Sequence, residues 1–348
     1  RMLKWYEQVR MESGKYFVSN RIRLARNWAE YHFPRRLRNE EANEMVQRMR
    51  DALQELAMQQ QENVNDCLLT EISEIRRMAM RERRVLSASI LERKAPVALF
   101  LSESESLSLV LNGDDHIRLQ LMSPNLHMKE LYENINRLDD YMNRQFEYAF
   151  DPHYGYLTSF PTNVGTGMRA NIVLHLPMLS QSKQFSKILE SMGQIGVNIR
   201  GVYGDGKENH GDLFDLSNAR TLGVSEEEIM ALVQKTAMRL NNEEEKIRVH
   251  SIERHRLARV DSMFRAYGFL KYARRVTIRE ALHNLSAVMA GITDGLAKTE
   301  QDISIYALYL GVQPSNLIAA EKGPVDREQI DVLRANYLRR VLPELLER

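Results

Sequence analysis

The sequence predicts an α+β fold: an antiparallel β-sheet flanked by helices over residues 1–245, followed by an all-α domain over residues 246–348. Three observations predict it. Short strand-like runs, separated by turn residues, lie in the first part. Amphipathic helical runs lie on either side of them along the chain. After residue 225 the pattern is almost entirely helical. The chain of 348 residues suits two domains, and we expect their boundary in the charged stretch 241–255.

Two amphipathic helices are predicted to flank the sheet, over residues 40–57 and 126–147. In each, apolar side chains recur at spacings of three and four residues, which places them on one helical face. The apolar residues of the first helix are Ala42, Met45, Val46, Met49, Leu53 and Leu56. Those of the second are Leu131, Ile135, Leu138 and Met142. Both helices are therefore expected to pack one face against the sheet.

Three strand-like runs lie between these helices, at residues 97–101, 107–111 and 116–121. The turn-rich sequences Ser-Glu-Ser-Glu-Ser and Asn-Gly-Asp-Asp separate them. Such short connections favour an antiparallel meander over crossovers. In the third run the apolar residues alternate with polar ones, so Arg118 faces away from the apolar side. Further strands are predicted at 171–176, 198–203 and 213–216.

The rest of the chain is predicted to be helical. Ser225 begins a Ser-Glu-Glu-Glu capping box, and the helix after it is expected to end near residue 241. Thr277 begins a second capping box, and Pro324 precedes a last helix that ends at Val341. The helical domain also contains an apolar set that could serve self-association or core packing. Its members are Phe264, Tyr267, Leu270, Leu282, Leu285, Ile305, Leu308 and Leu310.

The composition narrows the class of protein. Hydrophobic residues make up 43% and charged residues 27%, as in globular proteins, and no apolar run has the length of a membrane span. A net charge of +1 gives no overall field for direct nucleic acid binding or for a membrane surface. The first residues lack the apolar region of a secretory signal, and Cys67 is the only cysteine. We therefore expect a cytoplasmic protein.

Four segments contain residues suited to chemistry: 19–27, 112–118, 161–169 and 200–208. Each is a weak signal alone, because alternating arginines usually form a solvated strand face and paired aspartates usually solvate a turn. Together they are consistent with one reaction. Several arginines and a glycine-rich backbone suit a triphosphate, and carboxylates on loops suit a cationic acceptor such as a guanidinium group. No zinc-ligand spacing and no nucleophile elbow is present in the sequence.

In this order, the four segments resemble the phosphagen kinase superfamily of ATP:guanidino phosphotransferases. Residues 19–27 and the loop Thr-Asn-Val-Gly-Thr-Gly-Met-Arg-Ala are more similar to the bacterial protein-arginine kinases. So is the architecture, which lacks the small N-terminal helical domain of creatine kinases and adds a C-terminal helical domain. The resemblance runs from about residue 17 to the end of the sequence.

The resemblance implies phosphorylation of protein arginine side chains by Mg-ATP, in the heat-shock response and in targeting to a Clp protease. It implies protein substrates with exposed arginines, an activator protein and a homodimer, with the helical domain dimerising or regulating. The arginines that it assigns to the ATP phosphates are Arg21, Arg23, Arg118, Arg169 and Arg200. It places His175 near the adenine and Glu208 on the acceptor guanidinium. Asp114 takes the position of the family's catalytic base, and Asp115 and His116 are expected to stabilise the turn.

The acceptor side departs from the family pattern. The family turn Asn-Glu-Glu-Asp-His reads Asn-Gly-Asp-Asp-His here, so Gly113 replaces one glutamate and the shorter Asp114 replaces the other. Phe160 stands where the family has a cysteine before Pro161. In the last helix, Ile330-Asp331 stands where the family has an Arg-Asp pair that binds phosphoarginine.

These departures leave four hypotheses. The first is an active protein-arginine kinase with a reshaped acceptor pocket. The second is a nucleotide-binding pseudokinase that acts as a scaffold or regulator. A kinase for a small guanidino compound is disfavoured by the missing N-terminal domain. A nucleic-acid binder is disfavoured by the near-zero net charge and the absence of a recognised nucleic-acid motif.

Overall fold

The computed structural model describes residues 2–9, 15–60, 63–124, 128–204, 208–300, 303–321 and 324–347. Its strands are β1 (Phe17–Arg26), β2 (Val64–Leu68), β3 (Ala98–Ser102), β4 (Leu107–Leu111), β5 (Ile117–Ser123), β6 (Phe150–Asp151), β7 (Gly155–Tyr156), β8 (Met168–His175), β9 (Val197–Gly201), β10 (Leu213–Asn218), β11 (Ala297–Thr299) and β12 (Leu345–Glu347). Eight of them form one sheet in the order β2-β3-β4-β5-β1-β8-β10-β9. All neighbouring strands in it run antiparallel. The predicted α+β class and the antiparallel meander are confirmed.

The helices are α1 (Asn39–Gln60), α2 (Glu74–Glu82), α3 (Ala88–Leu91), α4 (Met128–Gln145), α5 (Phe185–Gln194), α6 (Glu226–Tyr272), α7 (Ile278–Thr293), α8 (Ile305–Gly311), α9 (Pro314–Ala320) and α10 (Arg327–Val341). The predicted capping boxes at Ser225 and Thr277 are present, and each side-chain oxygen accepts from the backbone N–H three residues later. Among the described residues, no helix is both long enough and apolar enough to cross a bilayer.

The two faces of the sheet have different coverings. On β1, Ile22 and Leu24 are buried against one face, together with side chains of α1, α4 and the first half of α6. Because successive strand residues point to opposite faces, Arg21 and Arg23 lie on the other face. Part of that second face packs against the C-terminal helices, and the part on β3 and β4 packs against side chains of residues 69–90. Between these two coverings the face is open. The alternation in the sequence therefore creates an arginine-lined surface.

Helix α6 is much longer than predicted. The expected end near residue 241 is wrong: the helix continues to Tyr272, with non-helical dihedral angles at His255. The charged stretch can continue the helix because two of its charges form a buried pair, while most of the others stay at the surface. Glu244 and Arg248 are fully buried, and their side chains meet at 2.6 Å one turn apart. The domain boundary at residue 245 therefore lies within a helix, and the division into two domains stays a prediction.

The C-terminal helices form a second core with the sheet. Val18, Met122, Val173 and Leu213 project from four neighbouring strands into this core. The apolar set considered for self-association lies here. Except for Phe264, which is half-buried, all of its members are buried, so the set packs inside the protein and offers no exposed dimer surface.

Candidate active site

An open cleft of about 400 Å³ lies on the uncovered part of the sheet. It brings together the five arginines predicted to bind phosphate, together with Asp114. Those arginines are Arg21, Arg23, Arg118, Arg169 and Arg200. They come from segments up to about half the chain apart in sequence. The fold thus assembles in one place what the sequence showed as separate weak signals.

The register of the strands explains this assembly. Arg23 of β1 lies opposite Arg169 of β8, and Arg118 of β5 lies opposite Ala25 of β1. Arg200 of β9 lies opposite Asp215 of β10. Side chains in directly opposed positions share a face of the sheet, so these arginines converge on the same surface. A shift of one residue in any strand would move its arginine to the buried apolar face.

Burial and mutual repulsion make this group of cations electrostatically costly. Burial, followed by the nearby charge of Arg84, lowers the pKa of Arg21 to about 9. Burial and the charges of Arg118 and Arg169 lower the pKa of Arg23 to about 10. Burial and the charge of Arg21 likewise lower the pKa of Arg118 to about 10. A polyanion in the cleft would relieve this repulsion, because opposite charge favours the protonated guanidinium.

Two buried donors in the cleft also lack partners in the part of the chain that the structure describes. The Nε atoms of Arg21 and Arg118 make no hydrogen bond among the described residues. Buried polar groups in proteins are nearly always hydrogen-bonded, so these N–H groups indicate a ligand with acceptor oxygens. A phosphate chain has that chemistry, and arginine binds it with two parallel hydrogen bonds.

The glycine-rich loop 161–169 holds Arg169 in place. The Arg169 guanidinium donates to the carbonyl oxygens of Thr162, at 2.9 Å, and of Asn218. Gly165 has φ = +107°, and a Cβ there would lie 2.2 Å from the carbonyl oxygen of Thr221. Close backbone packing therefore requires glycine at this position, and that packing fixes the loop that supports Arg169.

Asp114 lies at the edge of the cleft on the turn between β4 and β5. Its Oδ2 accepts a hydrogen bond of 2.8 Å from the Ser89 hydroxyl, at the start of α3. The preceding Gly113 lies close to α3 as well, since a Cβ there would be 2.8 Å from Cδ1 of Ile90. Ser89 thus orients a carboxylate whose turn has lost a side chain at position 113.

Asp115 and His116 stabilise this turn, as predicted. Asp115 accepts from the side-chain amide of Asn27 at 2.7 Å and from the backbone N–H of Ser159 at 2.6 Å. Burial raises the pKa of Asp115, although these two hydrogen bonds oppose the shift. His116 Nδ1 accepts from the backbone N–H of Trp28, and its Nε2 therefore donates to the carbonyl of His32. Burial lowers the pKa of His116 to about 4, so the ring is neutral.

Sequence reasoning missed two cleft-side residues, Asp215 and Arg84. Asp215 accepts from Arg84 at 2.6 Å and from the Asn171 amide at 2.9 Å, and it lies 3.7 Å from Arg21. It offsets part of the positive charge next to the cleft. A lone carboxylate within the predicted strand 213–216 was a usable signal for Asp215. Nothing in the sequence near Arg84 indicates this contact.

Two predicted site residues lie outside the cleft lining. His175 is buried between the sheet and the helical region, where it contacts Ser286 and Arg248. A side chain enclosed in this way does not reach an adenine in the cleft without rearrangement. Glu208 is exposed and forms an ion pair of 3.2 Å with Arg279 of α7. The adjoining residues 205–207 are outside the described part of the chain.

The acceptor-side departures can also be placed. Phe160 lines the cleft beside Asp115, with 38% of its surface exposed. Its ring lies 5.6 Å from the Arg35 guanidinium. In α10, Asp331 accepts from the buried Arg334 at 2.6 Å, so its carboxylate already has a cationic partner within the helix.

Comparisons with known proteins show the family of the chain. The ATP:guanido phosphotransferase C-terminal catalytic domain matches residues 44–247, and the protein-arginine kinase McsB C-terminal domain matches residues 255–348. The chain is 35% identical over 322 residues to a protein-arginine kinase of Brevibacillus brevis, covering 92% of this chain and 90% of that one. It is 34% identical over 345 residues to that of Desulforamulus reducens, covering 98% and 96%.

Solved structures show a similar fold. Lombricine kinase aligns with a TM-score of 0.60 at 22% identity, covering 71% of this chain and 70% of that one. The duplicated taurocyamine kinase from Schistosoma mansoni, with bound transition state analog components, aligns with a TM-score of 0.60 at 23% identity. That match covers 69% of this chain and 35% of the other. At such identities the similarity shows the fold alone.

Proposed function

The chain belongs to the protein-arginine kinase family of ATP:guanido phosphotransferases, and we propose that it transfers the γ-phosphoryl group of ATP to arginine side chains of proteins. The observation that supports this best is the cleft in which five arginines surround one open space beside Asp114. Four of the five come from adjacent strands of a rigid sheet, as precise positioning of phosphates requires. The comparisons give no support to the pseudokinase alternative.

In the proposed reaction the cleft arginines bind the phosphates of ATP. Arg21, Arg23 and Arg118 offset the negative charge that develops on the transferred group. Their existing mutual repulsion favours this role, since the transition state gathers charge where they converge. Mg²⁺ bound with ATP would supply further positive charge to the cleft, and it would be held mainly by substrate oxygens with few protein ligands.

The acceptor arginine is proposed to bind at the Asp114 edge of the cleft. A guanidinium nitrogen attacks the γ-phosphorus, the bond to the bridging oxygen breaks, and ADP leaves. The proton of the attacking nitrogen passes to the Asp114 carboxylate, which Ser89 orients. Glu208 is proposed to hold the same guanidinium. Its carboxylate already pairs with the guanidinium of Arg279, which is the kind of ion pair that binding of an acceptor arginine needs. Phe160 would shape the space for the aliphatic part of the acceptor.

The wider biological role is proposed on the family resemblance. It comprises a function in the heat-shock response and protein quality control, an activator protein, delivery of marked proteins to a Clp protease, and a homodimer. A contact between His175 and the adenine stays a prediction that the buried position of His175 does not favour. A cytoplasmic location is proposed as well, since the single cysteine leaves no internal disulfide.

The proposal is tested by incubating the protein with Mg-ATP and an arginine-rich protein acceptor. Acid-labile phosphoarginine is measured by mass spectrometry, with nucleotide binding recorded in parallel. We expect Asp114→Ala to lower product formation by roughly 100-fold or more while ATP still binds. Asp261→Ala, at an exposed position on α6, serves as the control and should leave the activity unchanged. ATP binding without phosphoarginine on any acceptor would refute the proposal.

A further inference from the structure

The loop that carries Glu208 is held at both ends by the C-terminal helices. On the near side of the loop is Tyr203, and on the far side are Gly211 and Asp212. Each of these three residues contacts a side chain of α7 or α8. The contacts cross between parts of the chain that the family domains assign separately, residues 44–247 and 255–348.

The contact at Gly211 involves the backbone of the loop. The hydroxyl of Tyr309, which is fully buried in α8, donates to the carbonyl oxygen of Gly211 at 2.9 Å. Gly211 has φ = +80°, and a Cβ there would lie 2.6 Å from Cε1 of Tyr309 and 3.3 Å from Leu282. The loop backbone therefore lies directly against the aromatic ring, and only glycine permits that approach.

Asp212 extends the connection into a chain of buried hydrogen bonds. Its carboxylate accepts from the Ser286 hydroxyl at 2.5 Å. His175 Nε2 lies 2.8 Å from that hydroxyl oxygen, and Arg248 donates to His175 Nδ1 at 3.2 Å. Because Nδ1 accepts, the neutral ring carries its proton on Nε2 and donates it to Ser286. His175 is thereby explained as a link between the sheet, α6 and the loop.

The near side of the loop is held by stacking. The ring of Tyr203 lies parallel to that of Tyr309, with centroids 6.2 Å apart and an interplanar angle of 18°. The backbone N–H of His210 donates to the carbonyl of Tyr203 at 2.8 Å, which joins the two ends of the loop. A single side chain of the helical region, Tyr309, thus contacts both ends.

We infer that Tyr309 is a positioning residue for the acceptor: it fixes the ends of the loop from which Glu208 projects. The inference rests on the proposed role of Glu208 in holding the acceptor guanidinium. It assigns to the C-terminal helices a direct part in acceptor binding, whereas ATP binding depends on arginines of the sheet. Loss of the Tyr309 hydroxyl should therefore weaken binding of the acceptor and leave binding of ATP unchanged.

The test compares Tyr309→Phe with Tyr306→Phe in the full-length protein. Both tyrosines are buried in α8, one turn apart, but the hydroxyl of Tyr306 has no hydrogen-bond partner among the described residues. We expect Tyr309→Phe to raise the KM for an arginine-containing protein acceptor roughly tenfold, because leaving a buried carbonyl unpaired costs free energy of the order that a factor of ten represents. Its Kd for ATP should match that of the wild type. Tyr306→Phe should leave both constants unchanged.

Amide hydrogen exchange of residues 208–213 provides a second readout. Tyr309→Phe, or Ser286→Ala if the first variant does not fold, should exchange faster there than the wild type and Tyr306→Phe. An acceptor KM that is unchanged in Tyr309→Phe and in Ser286→Ala overturns the inference. So does a Tyr309→Phe variant that loses affinity for ATP and for the acceptor equally. If the wild type forms no phosphoarginine, the proposed function fails, and the exchange rates alone then decide whether Tyr309 fixes the loop.

Discussion

Asp215 shows how a single residue makes the arginine cleft possible. Its side chain is largely buried and contacts the guanidinium groups of Arg84 and Arg21. Burial alone would raise the pKa of Asp215, but these two cations overcome it and hold the pKa below its usual range. The carboxylate is thus ionised at neutral pH and lowers the repulsion among cations that share a small volume.

Asp215→Asn is expected to destabilise the fold by about 3 kcal/mol, because it leaves buried cations without their counter-ion. Urea unfolding at neutral pH measures the loss, with the exposed Asp261→Asn as the control. Saturating ATP should stabilise the variant more than the wild type, since phosphates supply the missing negative charge. The pKa of Asp215 is lower in the folded protein, so its contribution is present above pH about 4 and is lost as the pH falls further. A variant as stable as the wild type would contradict this account.

His116 makes the stability of the fold depend on pH as well, in a higher pH range than Asp215 does. Its pKa is lowered by burial to about 4 in the folded protein, whereas an unfolded chain has about 6.5. The folded protein therefore binds fewer protons between these values. The stability linked to His116 is complete above pH about 6.5 and is lost as the pH falls toward 4.

We expect the free energy of unfolding of the wild type to fall by roughly 2–3 kcal/mol across this range from His116 alone. His116→Asn should be less stable near neutral pH but should lose less stability on acidification. His283→Asn, at an exposed position on α7, should follow the wild-type curve. Urea titrations at several pH values measure the free energy of unfolding. If it falls with pH equally steeply in His116→Asn and in the wild type, the mechanism is excluded.

At the scale of elements, the loop before β8 depends on close backbone contacts. Gly165 lies in this loop, and Gly223 follows β10. Both have positive φ angles, but their surroundings differ. A Cβ at Gly165 would meet the backbone of Thr221 and Leu222, whereas no described atom lies within 4 Å of a Cβ at Gly223. The two positions therefore separate the cost of the backbone conformation from the cost of a steric clash.

Gly223→Ala is expected to cost about 1 kcal/mol, from the unfavourable conformation alone. Gly165→Ala should cost several times more, because backbone atoms must shift. It should also weaken ATP binding through the displaced Arg169. Thermal unfolding and nucleotide titration of both variants measure these effects. Equal losses in the two variants would show that the contact with Thr221 does not matter.

The regular elements of the fold could be predicted because their apolar side chains recur clearly at the spacing of a helix or of a strand. Residues 107–111 match β4, and the observed β5 and β8 begin within a few residues of the predicted strands. Helix α6 was predicted too short because residues 241–255 carry charges that look solvated. Burial of Glu244 and Arg248 depends on Asp294, which is distant in sequence and completes their pairing.

The cleft was predictable to the extent that its residues lie on alternating strands or in glycine-rich turns. Arg21, Arg23 and Arg118 follow from alternation and the family resemblance together. The contacts of His175 and Arg84 arise from packing between distant segments, which no local pattern encodes. His175 in particular belongs to the interface with Ser286, although its motif position suggested the nucleotide.

At the scale of the whole molecule, two of the apolar cores lie on opposite faces of the sheet and share its strands. One face packs against α1, α4 and the first half of α6, and the other packs in part against the C-terminal helices. Polar contacts join the parts as well: Glu82 of α2 accepts from the backbone N–H groups of Ser315 and Asn316 at the start of α9. Because strands β1, β5, β8 and β10 contribute to both cores, loss of either core should disrupt the other.

The two tryptophans of the chain report on these two cores separately. Trp5 is buried in the core of the C-terminal helices and Trp28 in the core on the opposite face of the sheet. In Trp5→Phe the remaining tryptophan, Trp28, reports on the core that includes α1 and α4. In Trp28→Phe the remaining Trp5 reports on the core of the C-terminal helices. We expect the fluorescence midpoint in urea to coincide, within each variant, with the midpoint of helix loss measured by far-UV circular dichroism. Comparison within a variant removes the effect of the substitution on stability. Midpoints that separate in either variant would mean that the helical region unfolds independently, and the loop held by Tyr309 would then lose its support before the sheet loses its cleft.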